Sequence, residues 1–471
     1  MFYQLTYMGA MAAAGITRNK TFELAAIAKS KSSSYFVAIN TLVTEFRLDY
    51  PEACRKIGLQ AKSDNMKSFL LRFSDTLRSG EDLADYLARE AAVQGEDYQN
   101  KYERDLEGLK QWTNAFTSMI ISVALIVIIQ MVTAMIYSMN VNVMGGMVMT
   151  GFLMACLGAW IIYRSAPRER ITVPLNQGSA AQIQALRLSR LIVPLALAGA
   201  AMLIVIGVPL GFVLIGVAAS VLPIGIISMR SDRTTTRKDV EFATFLRSVG
   251  GMASSSGTTL KESLTKIDLS SFPVLEEDIN RLSTRLQARV NPELCWHKFG
   301  LESGSRLISE VVDIFYGGIS IGGDPERVGY LCSLFTARTV QLRAKRRLTS
   351  GTFSGLATVM QAVVSGLMVF VFSIVNTFAL MVVKLAPPPD ALSSGPQMSI
   401  GMANFSPSDL AFLSNMTTFM IIGLAGVSAV AVILSDGGYK PKVALYSAMM
   451  IFISGVMMLI VPGMVAGILK Q

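Results

Sequence analysis

The chain has 471 residues, 52% hydrophobic and only 16% charged, and its mean hydropathy of +0.47 sets it apart from an average soluble domain. Its 42 Lys and Arg against 33 Asp and Glu leave a net charge of +9, which the basic inner faces of an integral membrane protein explain better than nucleic-acid binding does. One His and four scattered Cys, with no C-x-x-C spacing, exclude most metal and disulfide readings.

Taken in chain order, residues 1–112 carry 15 basic and 15 acidic groups and form a polar, neutral block. An apolar helix through Leu5, Met8 and Ala12 is expected to stop near Gly15, with Asn19 as N-cap of the next. A tight turn at Gly80 precedes a helix expected to continue toward the first apolar stretch. Residues 113–229 hold about four spans, at 113–139, 142–163, 189–208 and 210–229, each near the roughly 20 residues a bilayer crossing needs. Pro209 and Gly211 split the third from the fourth, and the inner loop 164–190 carries five Arg against Glu169. A second block, 230–351, is followed by residues 352–471 with about three spans, at 352–383, 408–434 and 443–469. With the N-terminal block inside, seven spans place every basic short loop on the same, cytoplasmic, side. The loops around Asn140 and from Lys384 to Pro407 then lie outside, the latter with a sequon at Asn404-Phe405-Ser406. No cleavable signal sequence is expected, because more than a hundred polar or mixed residues precede the first span.

The two blocks repeat one another. At an offset of 241, Leu5, Gly9, Met11, Ala12 and Lys20 fall on Leu246, Gly250, Met252, Ala253 and Lys261, and Pro51, Glu52 and Cys54 fall on Pro292, Glu293 and Cys295. A two-residue shift then aligns the turn at Gly80 with Gly322-Gly323. Thr259 with Glu262 predicts a capping box, and Asn291-Pro292-Glu293 and Asp324-Pro325-Glu326 predict further helix starts. Each block therefore reads as a small helical bundle that leads into a span.

The chemistry available is sparse. No phosphate-cradling Walker A loop occurs, and no cofactor is expected. His297, Cys295 and Glu293 are spaced two apart and so face different sides of a helix, and Cys54 and Cys295 suit core packing. The spans carry no ionisable group away from their ends, only Gln130, Gln361 and Asn376, which lowers the case for a transporter and suits hydrogen bonds between helices. What remains is a pair of basic runs: Arg230, Arg233, Arg237 and Lys238 after the fourth span, and Arg343, Lys345, Arg346 and Arg347 before the fifth. They can anchor to anionic lipid headgroups or dock an acidic protein partner.

The opening Tyr3 to Ile16, the segment Pro51-Glu52-Ala53-Cys54, the helix and turn from Phe69 to Gly80, and the second copy from Phe242 to Gly257 resemble type II secretion system F domains. Two such domains, each followed by membrane helices, are most similar to the archaeal platform proteins of the archaellum and of type IV pili, the FlaJ- and TadC-like group. That group is expected to carry membrane helices ahead of its first F domain, whereas this sequence opens directly on it. The resemblance implies an all-α polytopic membrane protein with about seven transmembrane helices and two cytoplasmic helical-bundle F domains. It further implies a non-enzymatic platform in the cell membrane, contacted by a hexameric secretion ATPase and handling pilin-like filament subunits, with no nucleic acid. A homodimer stays open beside a monomer, as do a multi-pass transporter and a membrane scaffold or sensor. The basic runs are the expected contact with the ATPase or the lipid bilayer, and Gly80 and Gly323 the expected structural turns.

Overall fold

A computed structural model describes residues 1–28, 30–136, 141–167, 169, 171–173, 178–385 and 407–468. Among these the chain is all-α, the one β-type contact being an isolated bridge between Thr172 and Ser305. The helices are α1 (Phe2–Ala12), α2 (Arg18–Ile27), α3 (Ser33–Thr44), α4 (Tyr50–Gln60), α5 (Asp64–Ser79), α6 (Leu83–Ile136), α7 (Val141–Ser165), α8 (Ala180–Val205) and α9 (Leu210–Ser256). They continue as α10 (Leu260–Lys266), α11 (Glu276–Gln287), α12 (Pro292–Glu302), α13 (Arg306–Ser320), α14 (Pro325–Leu385), α15 (Pro407–Asp436) and α16 (Val443–Ile468). The sequon, residues 137–140, the stretch 386–406, and Arg168 and Arg170 lie outside the described residues.

Two compact units divide the chain. The first comprises Met1–Arg104, Arg170–Ile183 and Ser231–Ala344, and it holds two hydrophobic cores. One gathers Phe22, Phe36, Phe69 and Phe73 from α2, α3 and α5, with Phe22 and Phe73 stacked at 5.4 Å and Phe73 and Tyr86 at 5.6 Å. The other is built on Phe242, Phe245, Trp296, Phe299 and Phe315. Helix α1 serves both, sending Leu5, Met8 and Ala12 into the first core and Phe2, Ala10 and Met11 into the second. That double burial explains why α1 is apolar on nearly every face. Its buried Gln4 is satisfied locally, donating to the Ala25 carbonyl at 2.8 Å and accepting from the Ser30 hydroxyl.

The duplication is written into the backbone of this unit. Gly15 and Gly257, Arg47 and Arg289, and Gly80 and Gly322 all have positive φ, and the members of each pair are 242 residues apart. The caps follow the same spacing. Thr17 accepts from the Lys20 amide and Thr259 from the Glu262 amide, each at 3.4 Å. Thr17 thus replaces the expected Asn19 as N-cap of α2, because the left-handed Gly15 turns the chain early and Thr17 takes the extended conformation a cap requires. The other predicted starts hold: Asn291 accepts from the Glu293 amide at 2.9 Å, and Asp324 accepts from the amides of Glu326 and Arg327 at 3.3 Å.

The second unit comprises Asp105–Glu169, Gln184–Arg230 and Lys345–Gln471. Among the described residues seven helices (α6 to α9 and α14 to α16) are long and apolar enough to cross a membrane, and α6, α8, α9 and α14 contribute residues to both units. Gly207, at φ +85°, and Pro209 make the short link between α8 and α9. Within the second unit α6 and α7 form an antiparallel seam: Phe116 lies over Gly158, Val123 over Gly151, and Gln130 donates to the Met144 carbonyl at 3.3 Å. These contacts step by seven residues on each helix, the spacing at which a close helix pair keeps one seam in register. Gly211 and Gly455 bring α9 and α16 together, and Gln361 ties α14 to α15 and α16 through the Ile421 carbonyl at 3.3 Å and the Ser454 hydroxyl at 3.0 Å.

Candidate partner-docking surface

The two basic runs look alike in sequence and have different surroundings. On α9, Arg230, Arg233 and Arg237 are exposed and recur at spacings of three and four, which lines them along one helix face. Lys238, next in the chain, turns inward to a largely buried ion pair with Asp278, which Arg281 also contacts. Asp278 thus gathers two cations at the start of α11, near the positive end of that helix dipole.

On α14, the structure corrects the expectation for two residues. Arg343 is 7% exposed and donates to the Asp239 carboxylate at 2.8 Å, and Ser305 donates its hydroxyl to the same carboxylate. Arg346 is 2% exposed and is spent entirely on backbone carbonyls: Pro167 and Ser435 at 2.9 Å and Leu434 at 3.2 Å. Leu434 and Ser435 lie in the last turn of α15, where the final acceptors of a helix lack intrahelical donors, and Pro167 lies two residues beyond the end of α7. One planar guanidinium fits this role better than an ammonium would. Arg343 and Arg346 are therefore interior ties, unable to meet a partner, while Lys345 and Arg347 are half-buried and engaged. Beside them in the second unit, the buried Asp436 accepts from Lys442 at 2.8 Å and from Ser350 at 3.0 Å.

The reason the sequence misled is physical. A run of four cations in five residues reads as a solvated face, and the acceptors that bury two of them come from residues 88 to 179 positions away for Arg346 and 104 away for Arg343. Asp436 is the signal the sequence does carry: it is a lone carboxylate at the end of an apolar run, a place where burial demands a partner.

The two glycine turns also part company. Gly80 follows α5 at φ +76°, a left-handed helix stop. Its counterpart with positive φ is Gly322, at +106°, so Gly323 is corrected as the conformationally constrained residue. Gly323 is confined by space instead, since a Cβ there would lie 2.7 Å from the Gly318 carbonyl oxygen. His297 is half-exposed with Nδ1 3.7 Å from Asp313, whereas Cys295 is buried in the core. Burial pushes the Cys54 thiol up to about 12, which leaves it protonated and inert at neutral pH.

Fold and sequence together define an all-helical, multi-pass membrane protein whose first compact unit is an internally duplicated helical block. Residues 5–131 match the family model of type II secretion system (T2SS), protein F. Along most of its length it is similar to flagella accessory protein J of Methanocaldococcus jannaschii, at 25% identity over 89% of this chain and 74% of the relative. It is likewise similar to flagella accessory protein J of Methanococcus voltae, at 23% identity over 92% of this chain and 78% of the relative. No solved structure matches.

Proposed function

We propose that this chain is a membrane platform protein of an archaellum- or type IV filament-like machine, multi-pass in the cell membrane with its first unit in the cytoplasm. The observation that carries the reading is the similarity to flagella accessory protein J along nearly the whole chain, joined to the T2SS protein F domain at residues 5–131. The role is non-enzymatic. A hexameric secretion ATPase engages the first unit, and its conformational work reaches pilin-like subunits through helices such as α6, α9 and α14, which have residues in both units. The exposed stripe Arg230, Arg233 and Arg237 on α9 is the contact best suited to an acidic partner surface, because it stands open to solvent whereas Arg343 and Arg346 are buried on internal acceptors.

The test is co-purification of the detergent-solubilised protein with its cognate secretion ATPase, scoring ATP turnover. Wild type should bind and raise turnover, and Arg233→Glu with Arg237→Glu should abolish both while leaving thermal unfolding of the platform unchanged. Absence of binding by the wild-type protein would return it to an unassigned seven-span membrane protein.

A further inference from the structure

In the second unit α7 and α15 pack against one another as parallel neighbours. Gly145 lies by Phe412, Phe152 by Gly423, and the carbonyls of Pro167 and Ser435 meet on one guanidinium, so both helices advance in the same direction. Between them runs an open groove of about 500 Å³, lined by Phe152, Trp160, Tyr163, Gly426, Val430 and Leu434 among other apolar groups. Its length selects an occupant. From Phe152 to Tyr163, and from Ile422 to Leu434, the helices rise by roughly 16 to 18 Å at ~1.5 Å per residue. A bilayer's hydrocarbon is ~30 Å thick, so the groove spans about one leaflet and is about half as long as a crossing helix needs.

Its end is amphipathic. Trp160 and Tyr163 are 59% and 57% exposed there, and Arg164, also exposed, stands four residues after Trp160 on the same face of α7. Aromatic rings and a cation at the rim of an apolar slot match the ester region and phosphate of a lipid. We propose that this groove holds one acyl chain of an anionic phospholipid from the leaflet on the Arg164 side, with the phosphate against Arg164. The site requires only that α7 and α15 cross a membrane and is independent of any filament role.

The full-length protein, with Trp112→Phe to leave Trp160 as the tryptophan in the membrane region, is reconstituted into vesicles containing phosphatidylglycerol or phosphatidylcholine brominated along the tail. Quenching of Trp160 should show an apparent affinity for phosphatidylglycerol about fivefold above that for phosphatidylcholine, the factor expected from one arginine near a headgroup. Arg164→Glu should erase the preference. Gly426→Leu should erase it too, because a Cβ at Gly426 enters open space and the side chain would fill the groove without a clash. Equal affinities in the wild type, or a preference that survives both substitutions, would overturn the proposal. As a second readout, a photo-crosslinking residue at position 430 should capture phospholipid in cell membranes; capture of a protein helix there would equally overturn it.

Discussion

The two copies in the first unit share their turns and differ in how their helices are held. Left-handed residues recur at one spacing, at Gly15 and Gly257, Arg47 and Arg289, Gly80 and Gly322. Helix crossings do not recur so faithfully. A Cβ at Gly9 would meet Leu87 and Ala88 at an ordinary 3.7 Å, whereas one at Gly250 would run into the Pro325 carbonyl. The second copy adds the buried Asp239, Ser305 and Arg343 cluster, and the residue 242 positions before Arg343 is Lys101, which is exposed. Turn geometry is therefore the conserved part of the duplication within this one chain, because a reversal admits few backbone solutions, while packing and polar ties were free to diverge.

The sharpest way to break this contrast is Arg343→Met. It strands a buried carboxylate and should cost about 3–5 kcal/mol in detergent-phase denaturant unfolding, whereas Lys101→Met should change stability by less than about 0.5 kcal/mol. Next, Gly250→Ala should destabilise by about 1–3 kcal/mol through overpacking and Gly9→Ala by far less, measured in the same way. Paired turns should respond alike: Gly80→Val and Gly322→Val should each cost about 1–2 kcal/mol, with the melting temperature as readout, and a large inequality would break the claimed equivalence of these turns.

The buried thiols sharpen the contrast at high pH. Cys54 is raised to about 12, so its protonated form is favoured by folding; that stability is full below the thiol's ordinary range near 9 and is lost as pH climbs toward 12. The slope should approach about 1.4 kcal/mol per pH unit and vanish in Cys54→Ala. Cys295 is also raised by burial, but Arg285 and Lys298 oppose the shift, so Cys295→Ala should alter the alkaline limb less. The smallest effect belongs to Arg47→Gly and Arg289→Gly. Each relieves a left-handed non-glycine residue and loosens the unfolded chain, for a net gain of about 0.5 kcal/mol in chemical denaturation.

Much of the architecture was legible in the residues. Span positions, the break at Pro209, the helix starts at Thr259, Asn291 and Asp324, and the repeat itself follow from local composition and cap chemistry, which act over a few residues. Side-chain matches set the repeat at 241, and the backbone sets it at 242 where the turns are concerned, so Gly80 pairs with Gly322. The basic runs were legible as charge but not as surface. Arg237 and Arg343 are chemically alike, and nothing within several residues of either tells which one finds a buried carboxylate.

By itself, then, the sequence determined an all-helical chain with seven membrane-competent helices and a duplicated polar block, because hydropathy, periodicity and capping are properties of short stretches. Tertiary structure alone decided that α1 would be shared by two cores, that Arg343 and Arg346 would close on Asp239 and on the ends of α7 and α15, and that α7 and α15 would leave a leaflet-deep groove between them. Each of those outcomes joins groups far apart in the chain, and which distant acceptor or apolar face lies within reach is fixed only when the helices pack.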